Sequence, residues 1–205
     1  MSPFDPARID FEKSGGLVPA VIQHADSGVL LMVGFMNAEA LAATLACGRV
    51  TFWSRSKQRL WTKGESSGNF LDVVDLAEDC DDDAIRVLAR PQGPVCHRGT
   101  AGCFDPSPAP TFAFLHALDE LVAARERERP SGSYTTKLFE GGIRGIAQKV
   151  GEEGVETALA AVVQDDTALV GEAADLLFHL TVALRARGLS LAEVVVELAR
   201  RHRVQ

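Results

Sequence analysis

The chain has 205 residues, of which 46% are hydrophobic and 24% charged, a composition typical of a globular protein with a buried core. The formal net charge is −7, and residues 1–104 carry 10 basic and 13 acidic groups whereas residues 105–205 carry 11 and 15. This acidic balance in both halves argues against a protein that binds nucleic acid, although a single nucleotide needs only a few local cations.

The N-terminus, the apolar runs and the cysteines indicate the cellular compartment of the protein. The first residues, Met1 to Pro6, contain no basic region followed by an apolar one, so we expect no secretory signal. The longest apolar run, residues 29–36, is too short to span a bilayer, and we expect no membrane contact. Three of the four cysteines stand near acidic residues, glycine or histidine, which favours metal ligation over disulfides. We therefore expect a cytoplasmic protein.

The first half of the chain is rich in strand signals. Short apolar runs alternate with turn residues such as those around Gly28, and Asn37 is placed to cap a short helix that Gly48 would end. The expected strands are residues 17–23, 29–35, 50–53, 70–76 and 84–89, and the expected helix is residues 38–46. This pattern predicts an N-terminal α+β domain that is rich in strands.

Three prolines in five residues, Pro106 to Pro110, stand near the middle of the chain. Alternating prolines remove backbone donors and fix φ, so neither a helix nor a strand continues through them. Because the length fits either one large domain or two small ones, this segment decides the organisation. We predict a domain of residues 1–104, a linker of residues 105–111 and a domain of residues 112–205. A long ordered loop is the alternative to the linker.

Beyond the linker the apolar residues recur with the helical period. The first helix, residues 112–129, would bury one face that includes Phe114, Leu118, Leu121 and Val122. The second, residues 136–163, is expected to break near Gly141 and Gly142. Asp166 or Thr167 would cap a third that runs to position 186, and Ser190 would cap a fourth at residues 191–202. Four helices without a strand predict a C-terminal all-α bundle.

Acidic side chains and thiols lie side by side in the first half. Soft sulfur selects zinc, whereas clustered hard oxygen selects Mg²⁺ or Ca²⁺. Three thiolates leave one position of a tetrahedral zinc open to a reactive water, which indicates metal-assisted hydrolysis. The aspartates alternate along the chain, so an extended backbone would place them on one side. Free core cysteines are the alternative. The candidate ligands are Cys80, Cys96 and Cys103 for zinc, and Asp79, Asp81 and Asp83 for the hard cation.

Cations, hydroxyls and glycines collect between the expected strands, in residues 52–69. Cationic side chains, hydroxyl groups and glycine N–H groups are suited to binding phosphate. His97 follows a candidate zinc ligand, and we leave open whether it is a fourth ligand, a general base or a structural residue. The candidate substrate-binding residues of this half are Ser54, Arg55, Lys63, Ser66, Ser67 and Gly68.

Five acidic residues form a second candidate metal site, in the helical half. Glu152, Glu153 and Glu156 are 3 and 4 residues apart and share a helix face. Glu172 and Asp175 lie on the next helix, in an otherwise apolar segment where acidic groups need a partner. Two antiparallel helices would bring all five to one Mg²⁺ ion, the usual arrangement for phosphoryl chemistry. A solvated acidic face is the alternative.

Together these motifs resemble a family of bifunctional enzymes of histidine biosynthesis, which join phosphoribosyl-AMP cyclohydrolase to phosphoribosyl-ATP pyrophosphohydrolase. The second half is also similar to the all-α, MazG-like nucleotide pyrophosphatases. Phe178 stands where an aromatic hydroxyl is common in the family, a conservative departure. The matching stretches are residues 35–37, 54–56, 60–69, 79–83 and 93–104 in the first half, and 133–138, 149–156 and 172–179 in the second.

The resemblance implies the metals, the substrates and the assembly. It places zinc on the three cysteines and Mg²⁺ on the three aspartates, and it implies a homodimer whose zinc ligands come from both subunits. The implied substrates are the small molecules phosphoribosyl-ATP and phosphoribosyl-AMP. Water activated by zinc would attack C6 of the adenine and open the ring. In the helical half, Mg²⁺ would hold the triphosphate while water attacks between the α- and β-phosphates.

Residue roles follow from the same resemblance. Lys137 and Lys149 are expected to neutralise phosphate charge. We take His97 and Lys63 as candidate catalytic residues of the first half and Glu153 as that of the second, and we leave open which carboxylate positions the attacking water. Two rival classes remain: a general nucleotide pyrophosphatase with a non-catalytic zinc domain, and a zinc module that binds RNA. The acidic charge of both halves counts against the second rival.

Overall fold

The computed structural model describes residues 4–106 and 108–202. It divides into two compact units, one that extends to Ala113 and one that begins at Phe114, which are described separately. The first unit is rich in strands and the second is helical, which confirms the predicted fold classes. The expectations that involve Met1 to Pro3 and Ser107 fall outside the described residues.

A four-stranded sheet forms the centre of the first unit. The strands of this unit are β1 (Val18–His24), β2 (Leu30–Met36), β3 (Thr51–Ser54), β4 (Arg59–Thr62), β5 (Leu71–Glu78) and β6 (Ile85–Pro91), with one helix, α1 (Ala38–Cys47), after β2. The order in the large sheet is β2-β1-β6-β5, in which β1 and β6 run parallel and the other neighbours antiparallel. The remaining strands, β3 and β4, form an antiparallel pair.

The core of the first unit lies against the large sheet. Val18, Ala20 and Ile22 of β1 are fully buried and alternate with less buried neighbours, the period of 2 of a strand with one face in the core. A Cβ atom at Gly34 in β2 would lie 2.3 Å from the ring of Phe52. Glycine at this strand position therefore allows the aromatic ring to pack directly against the backbone.

Helix α1 confirms its predicted caps. The Asn37 side chain accepts a hydrogen bond from the Ala40 N–H at 2.8 Å, and Gly48 ends the helix at a φ of 68°. Two elements were missing from the prediction: a 3-10 turn at Pro6–Arg8 and strand β4. The four residues of β4 begin with an arginine and end with a threonine, too few for the alternation of apolar and polar residues to stand out.

In the part of the second half that the structure describes, four helices follow: α2 (Ala113–Glu128), α3 (Tyr134–Val163), α4 (Asp166–Arg185) and α5 (Leu191–Arg201). The longest two, α3 and α4, pack along each other. Gly142, with a φ of 76° and a ψ of 173°, interrupts α3 where the sequence predicted a break. The core of this unit is formed by Val122, Phe139, Ile146 and Val182.

Two details of the helical prediction were wrong. Phe114 and Leu121 of α2 are 67% and 49% exposed, so only the part of the expected apolar face around Val122 is buried in the chain. Helix α4 begins one residue earlier than its expected caps allow, because the extended backbone of Asp165 directs its carboxylate to the Ala168 N–H at 2.9 Å.

Helix α4 is long and mostly apolar. Among the described residues it is the one helix that is long and apolar enough to cross a membrane, a test that core helices of water-soluble proteins also pass. Two polar residues within it, Glu172 and His179, approach Glu153 of α3. These contacts are those of a helix that packs within its own unit.

Candidate functional site

A cavity of about 470 Å³ in the first unit brings together residues from the β4–β5 connection and from the segment after β6. Both segments are those in which the sequence placed phosphate-binding and thiol residues. Gly68 lies in the same connection but does not line the cavity. The predicted site residues that line it are Lys63, Ser66, Ser67, Cys96, His97 and Cys103.

The connection from Gly64 to Asn69 is a tight turn. Gly64 has a φ of 96°, its carbonyl accepts a hydrogen bond from the Gly68 N–H at 2.8 Å, and a Cβ atom on it would lie 2.6 Å from the Asn69 backbone. Glycine is therefore required here for both conformation and space. The turn presents the exposed Ser66 and Ser67 to the cavity.

Lys63 is a buried cation at the base of this turn. It is 7% exposed, and its Nζ donates a hydrogen bond to the Asn69 carbonyl at 3.2 Å. Burial lowers the pKa of Lys63, and the neighbouring sulfur atoms of Cys103 and Cys96 act in the opposite direction. Lys63 therefore lines the cavity together with the two thiols, and its protonated amine would be suited to bind an anion there.

The thiols of Cys96 and Cys103 are neighbours that interact directly. A hydrogen bond from the Arg98 backbone lowers the pKa of Cys96. Desolvation of its thiol raises the pKa of Cys103, even though that residue as a whole is exposed. His97 lies beside this pair, with its Nδ1 3.9 Å from the Cys96 sulfur. The structure thus places two soft ligands and an imidazole at one wall of the cavity.

Cys80 lies elsewhere in the unit. It is exposed after β5, where its thiol lies 3.8 Å from the Asp81 carboxylate, and it does not line the cavity. Within residues 4–106 and 108–202, it forms no group of three candidate ligands with Cys96 and Cys103. A single copy of the chain therefore does not assemble the three predicted zinc ligands.

The three alternating aspartates come together in a turn. Oxygen atoms of Asp79, Asp81 and Asp83 lie within 4.8 Å of one another. The expectation that an extended backbone aligns them was wrong, because the segment turns: Asp82 has a φ of 60°, and the Asp79 carboxylate accepts the N–H groups of Asp83 at 3.0 Å and Ala84 at 3.1 Å. The turn converges their oxygens in a geometry that suits a hard cation.

Two predicted substrate residues, Ser54 and Arg55, line a second cavity of about 390 Å³. Its lining shares Met32 and Trp61 with the first cavity. The Arg55 guanidinium stacks over the Phe35 ring at 3.9 Å from its centroid. The structure therefore places these two residues next to the main cavity rather than in it.

Three of the five predicted carboxylates meet in the second unit. Oxygen atoms of Glu153, Glu156 and Glu172 lie within 4.8 Å of one another, with Glu153 buried. Glu152 instead pairs with Lys149 at 2.8 Å, and this contact lowers the pKa of Glu152. Among the described residues Asp175 does not belong to the group of three. The remaining predicted residue of this unit, Lys137, is exposed near the start of α3.

Tyr134 and His179 form a hydrogen-bonded pair beside this acidic group. His179 is 4% exposed, its Nδ1 lies 2.9 Å from the Asp175 carbonyl and 3.7 Å from a Glu153 oxygen, and its Nε2 lies 3.1 Å from the Tyr134 hydroxyl. The Tyr134 ring stacks on Phe178. The sequence placed Tyr134 in a matching stretch but gave no role to it, because nothing local signals a partner 45 residues away.

Comparison with known proteins assigns each half of the chain. Residues 32–105 match the family model for phosphoribosyl-AMP cyclohydrolase, and residues 115–202 match that for phosphoribosyl-ATP pyrophosphohydrolase. The chain is 63% identical over 199 residues to the histidine biosynthesis bifunctional protein HisIE of Xanthomonas axonopodis pv. citri, covering 97% of this chain and 95% of the relative. It is 60% identical over 195 residues to that of Xylella fastidiosa (strain Temecula1), covering 95% and 93%.

The match extends to a relative of lower identity. The protein of the same name from Escherichia coli K12 is 56% identical over 194 residues, which cover 95% of each chain. Two hydrolase domains in this order, with thiol and carboxylate groups in them, define a bifunctional hydrolase. The chain belongs to the family of bifunctional histidine biosynthesis proteins, in which a phosphoribosyl-AMP cyclohydrolase domain precedes a phosphoribosyl-ATP pyrophosphohydrolase domain.

Proposed function

We propose that the helical unit hydrolyses phosphoribosyl-ATP to phosphoribosyl-AMP and pyrophosphate, and that the first unit then opens the adenine ring of phosphoribosyl-AMP. Both reactions belong to the family to which the chain belongs. The observation that supports the ring-opening step most directly is the cavity that Lys63, Cys96 and Cys103 line together. A phosphate-binding turn and soft metal ligands meet there, as an enzyme that hydrolyses a nucleotide with a metal requires.

The cysteines fit zinc by the chemistry of their donor atoms. Cys96 and Cys103 already lie together, whereas Cys80 lies outside the cavity. This separation supports a homodimer in which Cys80 of one subunit completes the site of the other. Zinc bound by three thiolates lowers the pKa of a ligand water and so supplies a nucleophile near neutral pH.

The other residues of the cavity bind and orient the nucleotide. Ser66 and Ser67 donate hydrogen bonds to a phosphate, and Lys63 offsets its charge from the buried side. His97, beside Cys96, accepts the proton of the water that adds to C6. The reaction adds one water across the N1–C6 bond, so the proton taken up by His97 returns to N1 as that bond breaks.

In the helical unit the three converging carboxylates fit Mg²⁺, because hard oxygen ligands at this spacing are those the ion prefers. Glu153, Glu156 and Glu172 would hold it, and a bound Mg²⁺ offsets the charge of the triphosphate. Lys149 and Lys137 provide further positive charge for phosphate oxygens. Both units then act on small molecules, and we place the protein in the cytoplasm, where such nucleotides are made.

Removal of zinc tests whether ring opening and pyrophosphate release occur at separate sites with different metals. Protein stripped with a chelator and returned to excess Mg²⁺ should lose ring opening, measured by ultraviolet absorbance, and keep pyrophosphate release. Addition of about one zinc per chain should restore ring opening. Unimpaired ring opening by zinc-free protein would refute the proposal for the first unit.

Complementation between variants tests the shared site. Cys80→Ser and Cys96→Ser subunits are each expected to be inactive in ring opening as homodimers. When they are co-expressed in equal amounts, half of the dimers are mixed and each has one intact site, so roughly a quarter of the wild-type activity should return. If no activity returned although mixed dimers formed, the three ligands would not come from two subunits.

A further inference from the structure

The N-terminal segment, residues 5–16, covers the acidic turn, residues 79–83, with two cationic side chains. Arg8 pairs with Glu78 at 2.6 Å and with Asp82 at 3.1 Å. The backbone N–H of Asp10 donates to the Asp82 carbonyl at 2.8 Å. These contacts attach the segment to the turn through groups other than the three candidate cation ligands.

The second cation, Lys13, occupies the candidate cation site itself. Its Nζ lies 2.7 Å from an Asp83 carboxylate oxygen and also contacts the Asp81 carboxylate directly. These two residues belong to the group of three whose oxygens converge within 4.8 Å. The lysine ammonium thus lies at the position where a bound cation would bring its positive charge to these oxygens.

An ammonium and a divalent ion are incompatible at the same two oxygens. A Mg²⁺ ion binds carboxylate oxygens at about 2.0–2.1 Å, which would leave it within a few ångströms of the lysine Nζ. Like charges at that separation repel strongly even when solvent screens them. One of the two must leave, and the lysine side chain is flexible enough to move into water.

We propose that Lys13 is a tethered competitor for the divalent cation of the first unit: it neutralises Asp81 and Asp83 while the site is empty, and the ion must displace it to bind. The proposal rests on a Mg²⁺ site at Asp79, Asp81 and Asp83, which the family resemblance implies and which we propose for the first unit as well. It assigns to the N-terminal segment a function in setting how tightly the cyclohydrolase unit holds its exchangeable cation. The zinc on the cysteines is not part of this competition.

The amine of Lys13 provides a direct readout of displacement. Zinc-loaded, full-length protein would be titrated with Mg²⁺, labelled briefly with an acetylating reagent and digested for mass spectrometry. Labelling of Lys13 should rise several-fold as Mg²⁺ saturates the site, because the displaced amine is no longer paired with the Asp81 and Asp83 carboxylates. Lys57, which is exposed, serves as the internal control and should not change. Lys149 is unsuitable because it pairs with carboxylates of the helical unit.

Variants distinguish two roles of Lys13: competition with Mg²⁺, and attachment of the N-terminal segment to the acidic turn. The Mg²⁺ midpoint would be read from amide hydrogen exchange of residues 79–84, which isolates this site from the helical unit. Lys13→Gln should bind Mg²⁺ about three- to tenfold more tightly, the range expected from the loss of two surface ion pairs. Lys13→Arg should keep a midpoint close to that of the wild type. Arg8→Gln, which removes a cation from the same segment but not from the site, is the matched control and should change it by less than about twofold.

The outcomes distinguish this proposal from the one on which it rests. An unchanged or weaker midpoint in Lys13→Gln, with Mg²⁺ still protecting residues 79–84, would overturn the competition alone. If Mg²⁺ protected residues 79–84 in none of the variants, nor in the wild type, the aspartates would not be a cation site and both proposals would fail. Tighter binding in Lys13→Gln together with Mg²⁺-dependent labelling of Lys13 would support both.

Discussion

Cys96 and Cys47 of the first unit have different surroundings. Cys96 is 7% exposed at the wall of a cavity, next to Cys103 and His97. Cys47 is exposed at the end of α1, where its thiol contacts the Arg49 carbonyl, and it does not line that cavity. The two positions therefore offer a matched pair of cysteines for substitution.

Cys96→Ser should abolish ring opening and leave pyrophosphate release intact. We expect the ring-opening rate to fall by at least about a hundredfold, because even residues that only support metal ligands cost ten- to a hundredfold when replaced. The rate is measured by ultraviolet absorbance with phosphoribosyl-AMP supplied directly. Cys47→Ser should retain both activities. Equal loss of both activities in a folded Cys96→Ser protein would mean that the sites are not independent.

Glu156→Gln should have the reverse effect. The substitution replaces one of three carboxylates that converge in the helical unit with a neutral group of the same size. Pyrophosphate release from phosphoribosyl-ATP should fall by at least about a hundredfold, while ring opening of added phosphoribosyl-AMP continues. Glu140→Gln, on the same helix at an exposed position, is the control and should be silent. Unimpaired pyrophosphate release in Glu156→Gln would exclude this carboxylate as a ligand.

Whole elements of the fold could be predicted where local chemistry specifies them. The caps at Asn37 and Gly48 fixed α1, and the break at Gly142 followed from the low helix propensity of glycine. Other features depend on partners that are distant in the chain. Tertiary packing decides which face of α2 is buried. It also decides that β4 pairs with β3, and neither feature can be read from a short stretch of sequence.

One such distant partner holds three helices together. Asp119 of α2 is 4% exposed and accepts two hydrogen bonds from Arg185 of α4, at 2.8 and 2.7 Å. It also accepts the N–H of Leu191, at the start of α5, at 3.3 Å. Replacement of a buried carboxylate that accepts three hydrogen bonds is destabilising, because its partly buried partners lose these bonds.

Asp119→Asn should therefore lower the free energy of unfolding of the helical unit by about 2 kcal/mol, less than for a fully buried ion pair because Arg185 is partly exposed. Glu120→Gln removes the exposed partner of the same arginine and should cost less than about 0.5 kcal/mol. Chemical denaturation followed by circular dichroism measures both. Equal effects of the two substitutions would show that burial of Asp119 does not matter.

At the scale of the whole molecule, the sequence suggests candidate residues for each site, but it does not show which of them lie together. The sequence predicts five carboxylates as metal ligands in the helical half, and the structure brings three of them within 4.8 Å of one another while Glu152 pairs with Lys149. Helical spacing defines a face and not the rotamers that decide which carboxylates converge. Likewise, the spacing of Cys80, Cys96 and Cys103 does not show whether they lie close together in the fold. Nor can a single sequence show whether a second subunit would supply one of the ligands.

The two families matched by the two halves define the order of the reactions. The product of the pyrophosphohydrolase is the substrate of the cyclohydrolase, so one chain with both units converts phosphoribosyl-ATP to the ring-opened product. Both units must therefore be active in the same protein. The first of the two steps, pyrophosphate release, must occur in the helical unit.

The most direct test is a single incubation of zinc-loaded protein with phosphoribosyl-ATP and Mg²⁺, in which pyrophosphate release and the ultraviolet change of ring opening are recorded together. We predict that both signals develop and that pyrophosphate leads, with a lag before ring opening that disappears when phosphoribosyl-AMP is supplied. Pyrophosphate release without ring opening, in folded protein of verified zinc content, would contradict the account, as would ring opening that precedes pyrophosphate release.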